Sequence, residues 1–182
     1  MAKQQLKVPF GYEPPAQSRR GTLFIFETFE DWTEDDVNGI AAWADKRKFV
    51  RAIFYPQHEE TLRRMGISCE MPYYARVKLL ESFLKHSSSL VSLDIDAWEG
   101  KRKKYTPLDT SLNFLTDKNP GPYFLAMSDR YANLFVTYPS FKEWIKKVRL
   151  VILTRYEVPL HEKFHAYADR WEMINTENDT TS

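Results

Sequence analysis

Short runs of strand length alternate with helical periods along most of this chain, and that alternation restricts its fold more than any other feature. The runs lie at 22–28 (TLFIFET), 49–55 (FVRAIFY), 90–95 (LVSLDI), 123–127 (YFLAM) and 149–153 (RLVIL). They are rich in β-branched and aromatic residues, as strands are. Between them, 71–86 has the clearest helical period: Tyr73, Tyr74, Val77, Leu79, Leu80, Phe83 and Leu84 form a wide apolar stripe, with Arg76, Lys78, Glu81 and Lys85 on the other side. Further helices are expected at 33–48, at 57–66 with Gly66 as its stop, at 107–115, at 141–147, and at 160–174 with Phe164, Tyr167, Ala168 and Trp171 inward. Segment 99–104 (EGKRKK) reads as a polar loop and 119–122 as a turn. Strands that alternate with helices pair in parallel and are covered on both faces. The expectation is an α/β fold of about five parallel strands, in a single domain over 21–174. An irregular arm at 1–20, with Pro9, Gly11, Pro14 and Pro15, precedes it, and a polar, loose tail at 175–182 follows.

In open α/β sheets the first strand-to-helix turn is where phosphates settle, because the free amides of the helix start point at the ligand. Here that turn is acidic, with Glu27, Glu30, Asp31, Glu34, Asp35 and Asp36. Thr33 stands at the N-cap position with Asp36 three residues on, the spacing of a capping box. The chain as a whole carries 26 basic and 25 acidic residues, a formal charge of +1, so no global field draws it to nucleic acid or to an anionic membrane. Its opening, MAKQQLKVPFGYEPP, lacks the apolar core of a signal peptide, and no run is long enough to span a bilayer. Cys69, the one cysteine, cannot form an internal disulfide, which fits a reducing, cytoplasmic setting.

Four segments together resemble the nicotinate-mononucleotide adenylyltransferases of NAD biosynthesis, members of the nucleotidylyltransferase superfamily with a Rossmann-like fold. YYARVKLLESFL resembles a family helix in which an arginine precedes paired apolar residues, here Arg76 and Leu79–Leu80. The segment VSLDIDAWEGKRKKYTPLDTSLNFL is similar to a strand leading into Tyr-Thr-x-x-Asp-Thr, here Tyr105, Thr106, Asp109 and Thr110. YFLAMSD resembles a strand ending in Gly-x-Asp, with Asp129 in the aspartate place and Met127 for glycine, and WIKKVRLVILTRYEVP resembles the helix, strand and Arg-x-Gly turn, with Arg155 kept and Glu157 for glycine. The likeness covers about residues 22–160. Two family motifs are missing. At the place of His-x-Gly-His or Thr-x-Gly-His stands Thr33-Glu34-Asp35-Asp36, after Glu27, Thr28 and Trp32, and Ser-Ser/Thr-x-x-x-Arg has no counterpart.

The resemblance implies a diverged, nucleotidyltransferase-like pseudoenzyme. It would bind a mononucleotide or related small molecule, with ATP-dependent adenylyl transfer impaired or lost. An active transferase would use Thr33 and Asp36 catalytically and need Mg2+, because carboxylates alone repel a triphosphate. A third expectation is a non-catalytic structural or interaction protein. A homo-oligomer is left open, and nucleic acid is not expected as a partner. Each candidate residue has a structural reading beside the functional one. Thr33 and Asp36 cap a helix, or hold a metal or phosphate. Thr106 and Asp109 start a helix, or Tyr105 and Thr106 wall a pocket for a planar ring. Asp129 caps the next turn or meets ligand, and Arg155 pairs with Glu157 or a nearby acid, or holds a phosphate. Trp32 and Trp98 are placed near the mouth of the site. His161 and His165, four apart on the expected last helix, lack a third ligand of zinc-site spacing.

Overall fold

The computed structural model describes residues 19–176. Six strands form one sheet in the order β3-β2-β1-β4-β5-β6: β1 (Thr22–Glu27), β2 (Arg51–Pro56), β3 (Ser92–Ile95), β4 (Tyr123–Ser128), β5 (Val148–Leu153) and β6 (Trp171–Ile174). Every pairing is parallel. The helices are α1 (Glu34–Lys46), α2 (Glu59–Met65), α3 (Tyr73–Lys85), α4 (Trp98–Arg102), α5 (Leu108–Lys118), α6 (Asp129–Phe135) and α7 (Phe141–Lys147). This is the Rossmann-like α/β class the sequence leads one to expect, with one strand more. Among the described residues no helix is long and apolar enough to cross a membrane.

The two faces of the sheet read directly from strand periodicity. Phe24, Phe26, Ile53, Tyr55, Leu125, Met127, Leu150 and Ile152 point to one core, with Leu62 of α2, Leu112 and Leu115 of α5, Tyr131 and Phe135 of α6 and Trp144 of α7. Leu23, Ile25, Ala52, Phe54, Ala126, Val151 and Leu153 point to the other, against Val37, Ile40 and Trp43 of α1 and Leu80 of α3. With both faces covered, β1 is buried along its whole length, which is why 22–27 is almost continuously apolar.

The sequence expectation fails in three places. Segment 160–174 is not one helix: a short 3-10 turn, Glu162–Tyr167, is followed by β6. Phe164 is buried and Tyr167 and Trp171 pack against the same core, so the aromatic spacing that suggested a helix is met by a tight turn and a strand start; Ala168 is exposed. The Arg170 side chain donates to the carbonyls of Ile145 and Val148, and the backbone at Arg170 and Ile174 accepts from Leu150 and Thr154, tying this segment to β5. In α3 the stripe is rotated: Tyr74 is 71% exposed and Arg76 fully buried. Segment 99–104 is not all loop, since α4 runs through it with Glu99 fully buried, although Lys101, Lys103 and Lys104 stay exposed. Of the expected arm and tail, 1–18 and 177–182 lie outside the described residues; Arg19 pairs with Asp45, and Thr176 is buried.

Candidate functional site at the crossover of the sheet

The strand order reverses between β1 and β4, and in such sheets the crevice outside the carboxyl ends of those two strands is the usual ligand position. Here it is built around a carboxyl group. Glu27 is fully buried and accepts the Ser128 N–H at 3.0 Å and the Thr28 N–H at 3.3 Å. Burial pushes its carboxyl up to about 7, against the hydrogen bonding of Ser128 and the positive charges of Arg130 and Arg155. The next carbonyl, of Thr28, accepts from Arg76 Nη1 at 3.0 Å, while Arg76 Nε donates to the Met71 carbonyl at 3.1 Å. Phe29 takes a left-handed backbone (φ 63°), a conformation uncommon outside glycine. Its ring is buried edge-on to Trp32, with centroids 4.9 Å apart, and packs on Phe54 at 5.8 Å. Aromatic rings therefore fill the turn where a phosphate would lie in an open site.

Three acids of the turn, Glu30, Asp31 and Asp36, are already engaged. Thr33 and Asp36 form the expected capping box: the Asp36 N–H donates to Thr33 Oγ1 at 3.3 Å and the Thr33 N–H to Asp36 Oδ2 at 2.8 Å. The other oxygen, Asp36 Oδ1, meets Arg155 Nη1 at 2.9 Å. Arg155 lies over the Trp32 ring, 4.8 Å from its centroid, and reaches Asp31 at 3.6 Å. Burial works against the charge of this guanidinium, and Asp36, Asp31 and Glu27 together more than offset it, so its pKa is raised. Glu157 is exposed, and the partners of Arg155 are Asp36 and Asp31. Asp35 is exposed, and among the described residues no cluster of three or more His, Cys, Asp or Glu is placed to hold a metal. The donor set at this turn therefore does not fit Mg2+.

Asp129 is buried and binds backbone: its carboxylate accepts the N–H groups of Arg130 (3.0 Å), Tyr156 (3.2 Å) and Val158 (3.2 Å), fixing the chain that leaves β5. Tyr156 returns to the first turn, its hydroxyl 3.1 Å from Asp31 and its ring under Arg130, 4.2 Å from centroid to guanidinium. Beside this network a polar cleft of about 120 Å³ opens at the ends of β5 and β6, lined by Thr154, Arg155, Glu157, Asn175 and Thr176.

A second group gathers at the ends of β1 and β2. Tyr105 and Thr106 line a cavity of about 30 Å³ with Phe26, Gln57, Thr61 and Glu99. Glu99 Oε1 accepts the Thr61 hydroxyl at 2.5 Å and the His58 N–H at 3.1 Å, and the Thr106 N–H donates to Thr61 Oγ1 at 3.0 Å. Burial pushes the Glu99 carboxyl up to about 7. Thr106 does not cap α5: Pro107 holds that position without a side-chain bond, and Asp109 accepts from Trp144 Nε1 at 2.9 Å instead. Trp98 is half-buried and stacks on Phe114 at 4.0 Å.

The structure thus brings together Glu27, Thr28, Trp32, Thr33, Asp36, Asp129 and Arg155 at the crossover, and Tyr105 with Thr106 at a separate cavity. It leaves Trp98 and Asp109 outside both. Arg76, Arg130, Tyr156, Gln57 and Glu99 belong to these sites and were not singled out as site residues in the sequence. His161 accepts the Lys163 N–H at the head of the 3-10 turn, and His165 is exposed, so the pair forms no clamp. No protein-family model matches the chain, and no curated protein matches it either.

Proposed function

We propose that this protein is a diverged, nicotinate-mononucleotide adenylyltransferase-like pseudoenzyme that binds a mononucleotide or related small molecule and no longer transfers an adenylyl group. The observation that carries the reading is the Asp36–Arg155 pair. Adenylyl transfer depends on free cations and donors placed around developing negative charge. At this turn the cation is held by a carboxylate, and that carboxylate also closes the helix start. The polar cleft beside Arg155 and the cavity beside Tyr105 are the openings next to these residues. A cytoplasmic setting and a link to NAD biosynthesis go with this reading.

The test is pyrophosphate release from ATP and Mg2+ with nicotinate mononucleotide present, beside calorimetric titration of each ligand alone. Binding without turnover is the expected outcome. Turnover abolished by Asp36→Ala would instead favour an active transferase with an altered acidic site. The filled crevice favours a second reading: Glu27, Thr28, Phe29 and Trp32 are all 3% exposed or less, as in a structural or interaction protein built on this fold. That reading gains if neither turnover nor binding is seen.

A further inference from the structure

The connections that follow β4 and β5 meet in a groove of about 500 Å³, larger than the cleft at Arg155 or the cavity at Tyr105. That is a usual size for a small-molecule site, roughly 300–1,000 Å³. Its floor is Phe141, buried and edge-on to Phe135 (centroids 4.9 Å), Phe164 (6.0 Å) and Tyr167 (5.2 Å). These rings belong to the core, so the floor is formed before any ligand arrives. Half-buried Tyr138 and Tyr167 line the groove as well, with exposed Ala166. Two cations converge on this apolar surface, Lys142 from α7 and Lys163 from the 3-10 turn. Both are exposed, and neither is in an ion pair among the described residues. No carboxylate lines the groove: Glu143 and Glu162, their neighbours in sequence, are exposed and lie outside it. The Thr137 hydroxyl is already used, donating to the Leu134 carbonyl at 2.6 Å. Two ammonium groups over aromatic rings, with no acid between them, give the groove a positive potential.

We infer that this groove binds an aromatic carboxylate, with its ring against Tyr138 and Tyr167 and its carboxylate at Lys142 and Lys163. A ring continues the edge-to-face packing of the floor, a geometry that a straight acyl chain cannot offer. An anionic head meets the two lysines, whereas a cationic head is repelled and a neutral one leaves them unused. No arginine lines the groove, so the fork that commonly holds a phosphate is missing and a carboxylate suits it better. The inference goes beyond the proposed function: it uses none of the residues assigned there to a mononucleotide, so the two stand or fall separately.

The experiment is calorimetric titration of the full chain with naphthoate, beside naphthamide, which lacks the charge, and decanoate, which lacks the ring. Naphthoate is expected to bind with a Kd below about 1 mM. At low salt it should bind at least ~10-fold more tightly than the amide, and the margin should narrow in about 1 M NaCl, where exposed charges are screened. Lys142→Ala and Lys163→Ala are each expected to weaken naphthoate about three- to tenfold and to leave the amide unchanged. Ala166→Trp fills the groove and should abolish binding of both. Lys146→Ala, exposed on α7 but outside the groove, should change nothing. All four positions are exposed, so the far-ultraviolet spectrum should stay native in each variant. The inference is overturned if the amide or decanoate binds as tightly as naphthoate, or if naphthoate never saturates the protein. Naphthoate binding that survives Ala166→Trp, or that ignores both lysine variants, overturns it too. None of these outcomes alters the mononucleotide titrations, which test the proposed function by themselves.

Discussion

Arg155 Nη1 stands 2.9 Å from Asp36 Oδ1, joining the turn after β5 to the first helix across the crossover of the sheet. Both groups are largely buried, with 12% and 6% of their side chains exposed. Removing one partner of such a pair strands the other charge. Asp36→Ala is expected to cost about 3–5 kcal/mol, lost cap included. The double variant Asp36→Asn with Arg155→Met keeps a capping oxygen and removes both charges, so it should recover a large part of that loss. Urea unfolding of the parent, Asp36→Ala and the double variant checks both statements.

Arg76 is expected to be irreplaceable by lysine. Its planar fork donates from Nε to the Met71 carbonyl and from Nη1 to the Thr28 carbonyl, and its guanidinium lies 5.5 Å from the Tyr73 ring centroid. An ammonium cannot serve two carbonyls in that plane. Arg76→Lys should lose about 2–3 kcal/mol and Arg76→Ala about 3–5 kcal/mol, read as a lowered urea midpoint with an unchanged slope.

Stability should fall as pH rises from about 5 to 7. Glu27 and Glu99 are both raised from 4.5 to about 7 by burial. Between those values the folded protein holds protons that the unfolded chain has released, so unfolding loses protons and becomes easier as pH increases. Each group contributes up to about 3 kcal/mol, fully developed above pH 7 and absent below 4.5. The charges acting on Glu27 are Arg130 and Arg155; Arg102 acts on Glu99, and the His58 N–H and the Thr61 hydroxyl hydrogen-bond to it. Glu27→Gln and Glu99→Gln should each flatten the thermal-melt profile over this range and melt higher than the parent at pH 8.

Gly39→Ala should disturb the junction of α1 with the end of β6. A Cβ at Gly39 would stand 2.4 Å from the backbone oxygen of Thr176. Thr176 in turn approaches Asp36, its Oγ1 3.5 Å from Asp36 Oδ1. The clash is with backbone, so the chain that leaves β6 or α1 itself must shift. A loss of about 1–3 kcal/mol is expected, with faster amide exchange at Thr154, whose N–H donates to Ile174.

What the sequence makes legible follows from how local each signal is. The Thr33–Asp36 box is visible because it lies within four residues of chain, and β1 because both of its faces are apolar. Arg76 is misleading because a helix wheel assigns charge to solvent, whereas its partners are backbone carbonyls that leave no trace in sequence. Glu99 hides in a basic run whose lysines are indeed exposed. β6 is four residues long, and its aromatic neighbours mimic a helical period. The Arg155 contact to Asp36 needs two distant turns to meet, which the strand order alone decides.

The pairing of β1 with β4 also sets a timetable. Glu27 and Ser128, which hydrogen-bond across it, are 101 residues apart. At roughly 5–20 residues per second of synthesis, one edge of an apolar strand stays open for about 5–20 s before its partner emerges. β1 can meet β2 much sooner, but its other edge remains a template for any extended chain nearby. A chaperone that captures extended apolar segments would meet this protein through residues 22–27, the stretch that the finished fold withdraws completely from solvent.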